Sequence, residues 1–187
     1  LYDASGSTRP DVLFRSEIAQ EVLRGLFSDL YVTEGEPPAY LNHVSCTHYH
    51  SPSAAQQLVV EKGWHERTRV RHLYQMGCYA AFPALNLSCA CVEDGAERVD
   101  VVHTELCSFH LDREQVTPDQ IIMKTLFGDG AIRYSLVNEE YFNKTEEKGY
   151  EVMAQHEVLV PETDQEMSWK VGPHGFVMKL TKGVPVY

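Results

Sequence analysis

Apolar residues along this chain recur at two periods, and the alternation between them lays out the predicted elements. Residues 11–27 carry Val12, Leu13, Ile18, Val22, Leu23, Leu26 and Phe27 at helical spacing, with Asp11 after Pro10 as the predicted N-cap. Gly35, Pro37 and Pro38 mark residues 28–39 as a loop. Residues 40–46 read as a short strand, and 52–62 as a helix with Pro52 at its first position. A strand over 70–74 feeds a helix over 78–92. Val99, Val101 and Val102 make 98–105 a strand buried on both faces. A helix is predicted over 118–126, with strands over 131–137, 150–159 and 176–180. The charged run 139–148 reads as an exposed connection. Strands alternating with helices predict a layered α/β core.

Composition narrows the class. The 187 residues hold 16 basic and 27 acidic side chains, a formal net charge of −11. That balance argues against nucleic acid or an anionic membrane as partner. No apolar run is long enough to span a bilayer, and residues 1–10 lack a signal-peptide pattern. The five cysteines, at 46, 78, 89, 91 and 107, are odd in number and lie in apolar or motif positions. They read as reduced thiols of a cytoplasmic protein. Cys46, His48 and His50 alternate as one strand face could present them, but one face of one strand rarely closes a tetrahedral site, so no metal is expected. Cys89 and Cys91 read as core packing.

The segment Gln75-Met76-Gly77-Cys78-Tyr79-Ala80-Ala81-Phe82-Pro83 is the most informative in the chain. It places a thiol at a strand-to-helix turn, where free backbone N–H groups and the macrodipole would favour a thiolate. Gly77 permits a sharp bend, and the small Ala80 and Ala81 leave room for an acyl group. The expectation is that Cys78 alone among the five is selectively acylated and alkylated. A buried structural cysteine is the alternative, and local context leaves the two open.

The run Gly77 to Leu85 resembles the active-site segment of bacterial type III polyketide synthases, the chalcone-synthase-like branch of the thiolase superfamily. Further segments agree in order: Val44-Ser45-Cys46-Thr47 with Ser51-Pro52-Ser53, then Val99 to Ser108, then Leu126-Phe127-Gly128-Asp129-Gly130, then 167–185. The likeness covers roughly residues 40 to 187 and is weak before that. It implies a thiolase-like layered α/β/α fold, the first half of the family's duplicated α/β/α/β/α architecture. The whole of 1–187 would then be a partial domain of the chalcone and stilbene synthase N-terminal type. The family's catalytic histidine and asparagine belong to its second half and have no counterpart here. The expectation is either part of a longer polypeptide or a half-length subunit.

The resemblance also implies chemistry and roles. Cys78 would take an acyl group from an acyl-CoA starter. Malonyl-CoA would then extend it to a polyketide of the alkylpyrone or alkylresorcinol type. Coenzyme A thioesters would be substrates, with no permanently bound cofactor. Phe127 would gate the coenzyme A tunnel, and Gly128 would leave volume in the cyclisation pocket. Cys107 stands where plant members have threonine, and Met178 where they have a second gating phenylalanine. Glu105, ending a buried strand, would need hydrogen bonds and sits near the active site. His48 replaces the usual glycine of bacterial members and would touch the pocket. Ser51 would reach the neighbouring subunit's cavity in a homodimer. Two other readings remain: a 3-ketoacyl-carrier-protein-synthase-like condensing enzyme, disfavoured by the Cys78 and Phe127 runs, and a non-catalytic half-length thiolase-fold subunit.

Overall fold

The computed structural model describes residues 12–111, 116–172 and 175–184. Four strands form the main sheet: β1 (Tyr40–Ser45), β2 (Arg69–Tyr74), β3 (Arg98–Leu106) and β4 (Asp129–Val137), in the order β2-β1-β3-β4. β1 runs parallel to both β2 and β3, while β4 returns antiparallel along β3 from Arg98↔Val137 to Leu106↔Asp129. Helices α1 (Val12–Leu30) and α2 (Ala54–Glu61) cover one face, and α3 (Ala81–Glu93) covers the other. Helix α4 (Pro118–Leu126) and the short α5 (Glu139–Phe142) flank β4 in sequence. A separate hairpin follows, β5 (Met167–Gly172) with β6 (Gly175–Leu180).

The strand periodicity sorts side chains cleanly between the two faces. Leu41 and Val102 pack among Leu23, Phe27 and Leu58 on the α1/α2 side, whereas Val44, Val99 and Val101 pack beneath α3. Polar groups obey the same rule. Asp100 is fully buried on the α1 side, where its carboxylate accepts from the Tyr31 hydroxyl at 2.9 Å and the Ser135 hydroxyl at 2.8 Å. Arg98 pairs with it at 3.1 Å and reaches on to Glu34 at 3.2 Å. Burial pushes the Asp100 carboxyl up, against the opposing pull of Arg98 and its two hydroxyl donors. On the same face His43 lies between the Thr104 hydroxyl at 2.8 Å and the Tyr74 hydroxyl at 2.7 Å.

Several boundaries differ from the sequence reading. The second helix starts at Ala54, not at Pro52. Ser53 caps it, taking the Gln56 N–H on its hydroxyl while the Gln56 side chain takes the Ser53 N–H. The peptide bond from Ser51 to Pro52 is cis. The helix predicted over 78–92 splits into a 3₁₀ turn, Cys78–Ala80, and α3 proper. Pro83 is then the third residue of α3, where its missing N–H has no intrahelical partner to lose. The strand predicted over 150–159 is absent: Tyr150, Met153 and Leu159 are exposed, and no neighbouring edge pairs with the segment. β5 was not foreseen, although Met167, Trp169 and Val171 alternate as a strand requires. Asp11, the predicted cap of α1, lies outside the described residues.

Two stability measurements follow. Tyr31→Phe leaves the buried Asp100 one donor short and is expected to lower unfolding free energy by about 1–3 kcal/mol in urea titration. A loss below a few tenths would mean that this hydroxyl contributes little. His43 is pushed down to about 3, chiefly by burial and further by His72, His48 and His103. It stays neutral in the fold, whereas the unfolded chain takes its proton below about 6.5. Stability is therefore full above that value and drains as pH falls toward 3, by an amount on the order of 2 kcal/mol at pH 5. Urea midpoints between pH 7 and 5 should fall less steeply in His43→Gln than in the parent, and parallel slopes would contradict this.

Candidate active site

The parallel strands point their carboxyl ends at one place, where ligands settle in open α/β sheets. Cys46 and Thr47 follow β1, Gly77 and Cys78 follow β2, and Cys107 follows β3. All five line one cavity of about 280 Å³. Further walls come from α4 and its C-cap, through Met123, Lys124 and Phe127, and from the hairpin, through Trp169, Phe176 and Met178.

Strain in the chain presents the thiol. Gln75 at φ 58° and Gly77 at φ 89° turn the backbone sharply between β2 and the 3₁₀ turn. Such conformations persist only where neighbours hold them. Here the Gln75 N–H donates to the Ser45 carbonyl at 3.1 Å, its side-chain amide to the Cys46 carbonyl at 3.1 Å, and the Gly77 N–H to the Cys46 sulfur at 3.1 Å. Of the five cysteines, Cys78 is the exposed one.

The electrostatics correct one expectation. The Cys78 thiol is raised rather than lowered, by desolvation first and by the Glu105 carboxylate second. α3 proper opens at Ala81, and Cys78 itself opens the 3₁₀ turn that leads into it. Burial and Glu105 also raise Cys46, and push Cys107 up to about 11 with help from Asp129 and Cys78. Glu105 is itself pushed up by burial, and the Thr47 hydroxyl at 2.7 Å and the Cys46 N–H at 3.0 Å donate to it. Its hydrogen-bonded state at the end of β3 accords with its sequence context.

His110, unremarked in the sequence, is committed at both nitrogens. The Phe176 N–H donates to its Nδ1 at 3.0 Å, so its Nε2 carries the proton and donates to the Thr47 carbonyl at 2.5 Å. Burial lowers it, and it stands in the wall as a neutral tie between the β1 end and the hairpin. His103, likewise lowered by burial, contacts the Tyr134 hydroxyl at 3.2 Å. The Trp169 indole donates to the Cys46 carbonyl at 2.6 Å.

The structure gathers Cys78, Glu105, Cys107, Phe127 and Met178 around this cavity. His48 is elsewhere: it is buried, lowered to about 4 chiefly by burial, and lines a second cavity of about 280 Å³ with Arg15 and Phe109. Thr47, His110 and Phe176 form the partition between the two. Ser51 is exposed beside the cis bond, outside both cavities. Gly128 follows Phe127 on the exposed side, and a Cβ there would meet nothing within 4 Å. Among the described residues no group of three or more His, Cys, Asp or Glu is arranged to hold a metal ion, and no helix is long and apolar enough to cross a membrane.

The layered α/β frame that carries this site has a thiolase-like fold. The structure aligns with the crystal structure of 1,3,6,8-tetrahydroxynaphthalene synthase from Streptomyces coelicolor A3(2), a bacterial type III polyketide synthase, at TM-score 0.80 and 22% identity, covering 95% of this chain and 52% of that one. It aligns with PKS-I from the brown alga Ectocarpus siliculosus at TM-score 0.85 and 22% identity, covering all of this chain and 51% of that one. In sequence it is 27% identical over 186 residues to 1,3,6,8-tetrahydroxynaphthalene synthase from Streptomyces griseus, covering 99% of this chain and 46% of that relative. No family model matches the chain. The chain is similar in sequence to a 1,3,6,8-tetrahydroxynaphthalene synthase and in fold to type III polyketide synthases, and it spans about half the length of the relatives it matches.

The Cys78–Glu105 coupling is directly measurable. Glu105→Gln keeps an acceptor for Thr47 and removes the charge, so the apparent thiol pKa should fall and iodoacetamide labelling of Cys78 near pH 8 should quicken severalfold. Slower labelling, by peptide mapping over a pH series, would show that Glu105 does not oppose the thiolate.

Proposed function

We propose that this chain carries the nucleophile of a type III polyketide synthase and that Cys78 is its acyl acceptor. The observation that supports the reading most is the exposed Cys78 thiol, held by a strained turn in a largely apolar cavity that Phe127 also lines. In the proposed reaction the Cys78 thiolate attacks the carbonyl of an acyl-CoA starter. A carbon–sulfur bond forms to Cys78, the bond to coenzyme A sulfur breaks, and the departing thiolate takes up a proton. Malonyl-CoA is the proposed extender, entering past Phe127. An alkylpyrone or alkylresorcinol is the proposed product, Met178 leaving flexible room for an aliphatic starter. The proposed setting is a cytoplasmic homodimer in which Ser51 lies near the partner.

The raised thiol makes loading slow at neutral pH unless deprotonation is assisted. Among the described residues the cavity imidazoles are poor candidates for that role, because His110 has both nitrogens engaged and His103 faces Tyr134. The base and the oxyanion donors for decarboxylation are therefore sought outside these residues. Each such donor is typically worth about 10²–10³ in rate.

Incubation with a fatty acyl-CoA, followed by intact mass and peptide mapping, should place one acyl group on Cys78, slowly at pH 7 and faster at pH 9. Cys78→Ala should take up none. Acylation of Cys46 or Cys107 in preference, or undiminished loading of the alanine variant, would remove Cys78 from this role.

A further inference from the structure

Among the described residues, five hold the backbone in the left-handed region, and three of them are the glycines Gly63, Gly77 and Gly95. Of the other two, Glu162 lies in an exposed turn, while Gln75 opens the turn that carries Cys78. Glycine takes this conformation without steric cost, whereas a glutamine needs a contact that compensates. Gln75 has one. Its side-chain amide donates to the Cys46 carbonyl at 3.1 Å, on the same oxygen that the Trp169 indole meets at 2.6 Å.

Every polar group of Cys46 is engaged. Its N–H donates to Glu105 at 3.0 Å, its sulfur accepts from the Gly77 N–H at 3.1 Å, and its carbonyl holds Gln75 and Trp169. The two left-handed residues of the turn are therefore both tied to Cys46, Gln75 to its carbonyl and Gly77 to its sulfur. Losing the first tie leaves the second on a residue that can shift, and Gly77 passes that shift to Cys78 beside it. The charge near the thiol is less affected, because Glu105 keeps the Thr47 hydroxyl at 2.7 Å. The amide thus bears on where the Cys78 sulfur points more than on how acidic it is.

We propose that Gln75 is a positioning residue whose side-chain amide, acting through Cys46, aims the Cys78 sulfur for attack on an acyl thioester. This rests on Cys78 being the acyl acceptor and adds which residue fixes the direction of attack. No bond is made or broken at Gln75. Gln75→Gly suits the backbone and removes the amide. Gln75→Glu keeps the length and sets an acceptor against the Cys46 carbonyl.

Acylation and alkylation of Cys78 in these two variants, followed by peptide mapping, test this. With a fatty acyl-CoA at saturation, acylation should slow about tenfold in both, and the half-saturating concentration should stay at the parent's value. Iodoacetamide is small and needs no fixed approach, so alkylation over a pH series should keep the parent's rates and profile. The thermal midpoint of Gln75→Gly should match the parent's, relief of the left-handed strain offsetting the lost contact. Acylation at the parent's rate in both variants overturns the assignment and leaves Cys78 as acceptor. Equal slowing of acylation and alkylation also overturns it, since the amide would then be acting on the thiol's acidity. No acylation of Cys78 in the parent overturns both readings.

Discussion

The buried Asp100 carboxylate fixes which way β3 faces, and the site depends on that choice. Its oxygens are met by Tyr31, Ser135 and Arg98, drawn from the end of α1, from β4 and from β3 itself. None of these partners exists on the α3 side of the sheet. A slip of one residue would carry the charge into the apolar layer beneath α3, where its desolvation would go uncompensated. Because side chains alternate, Asp100 toward α1 obliges Val99, Val101, His103 and Glu105 to point the other way. The ion pair thus sets, from one face, the groups that stand around the thiol on the other.

Much of this was legible in the residues. Strand and helix periods located β1 to β4 and α1 to α4 to within a few positions, because each is long or lies between Gly and Pro punctuation. The strand-to-helix turn at Cys78 was legible too, from Gly77 before the cysteine and Ala80 and Ala81 after it. Three things were hidden. The start of α2 was misjudged because Pro52 offers a strong generic signal, while the Ser53–Gln56 capping box is a stronger local one. The segment around Val152 and Leu159 has strand-forming residues, and strand formation needs a neighbour that propensity cannot supply. The thiol's raised pKa depends first on its burial in the assembled cavity and then on Glu105, well further along the chain, neither of which a local motif encodes.

His110 and Thr47 show why the cavity's histidines add shape more than chemistry. A ring that accepts from one backbone and donates to another ties the hairpin to the end of β1. Titrating it would break the Phe176 contact, so its low pKa protects the wall. The same economy applies to Trp169, which closes the cavity by donating to the Cys46 carbonyl and packs edge-on against His110.

Trp169 also gives the molecule an optical signal of its own. The chain has two tryptophans, and they report on different places. Trp64 lies in the α1/α2 core against Tyr31, shielded from anything that enters near Cys78. Trp169 lies on the cavity wall, its indole N–H committed to the carbonyl of Cys46, which shares that wall with Cys78. Emission is sensitive to that hydrogen bond and to the polarity of the space beside the ring. Filling the cavity changes one chromophore and spares the other, so the difference between their spectra is a label-free gauge of occupancy written into the fold.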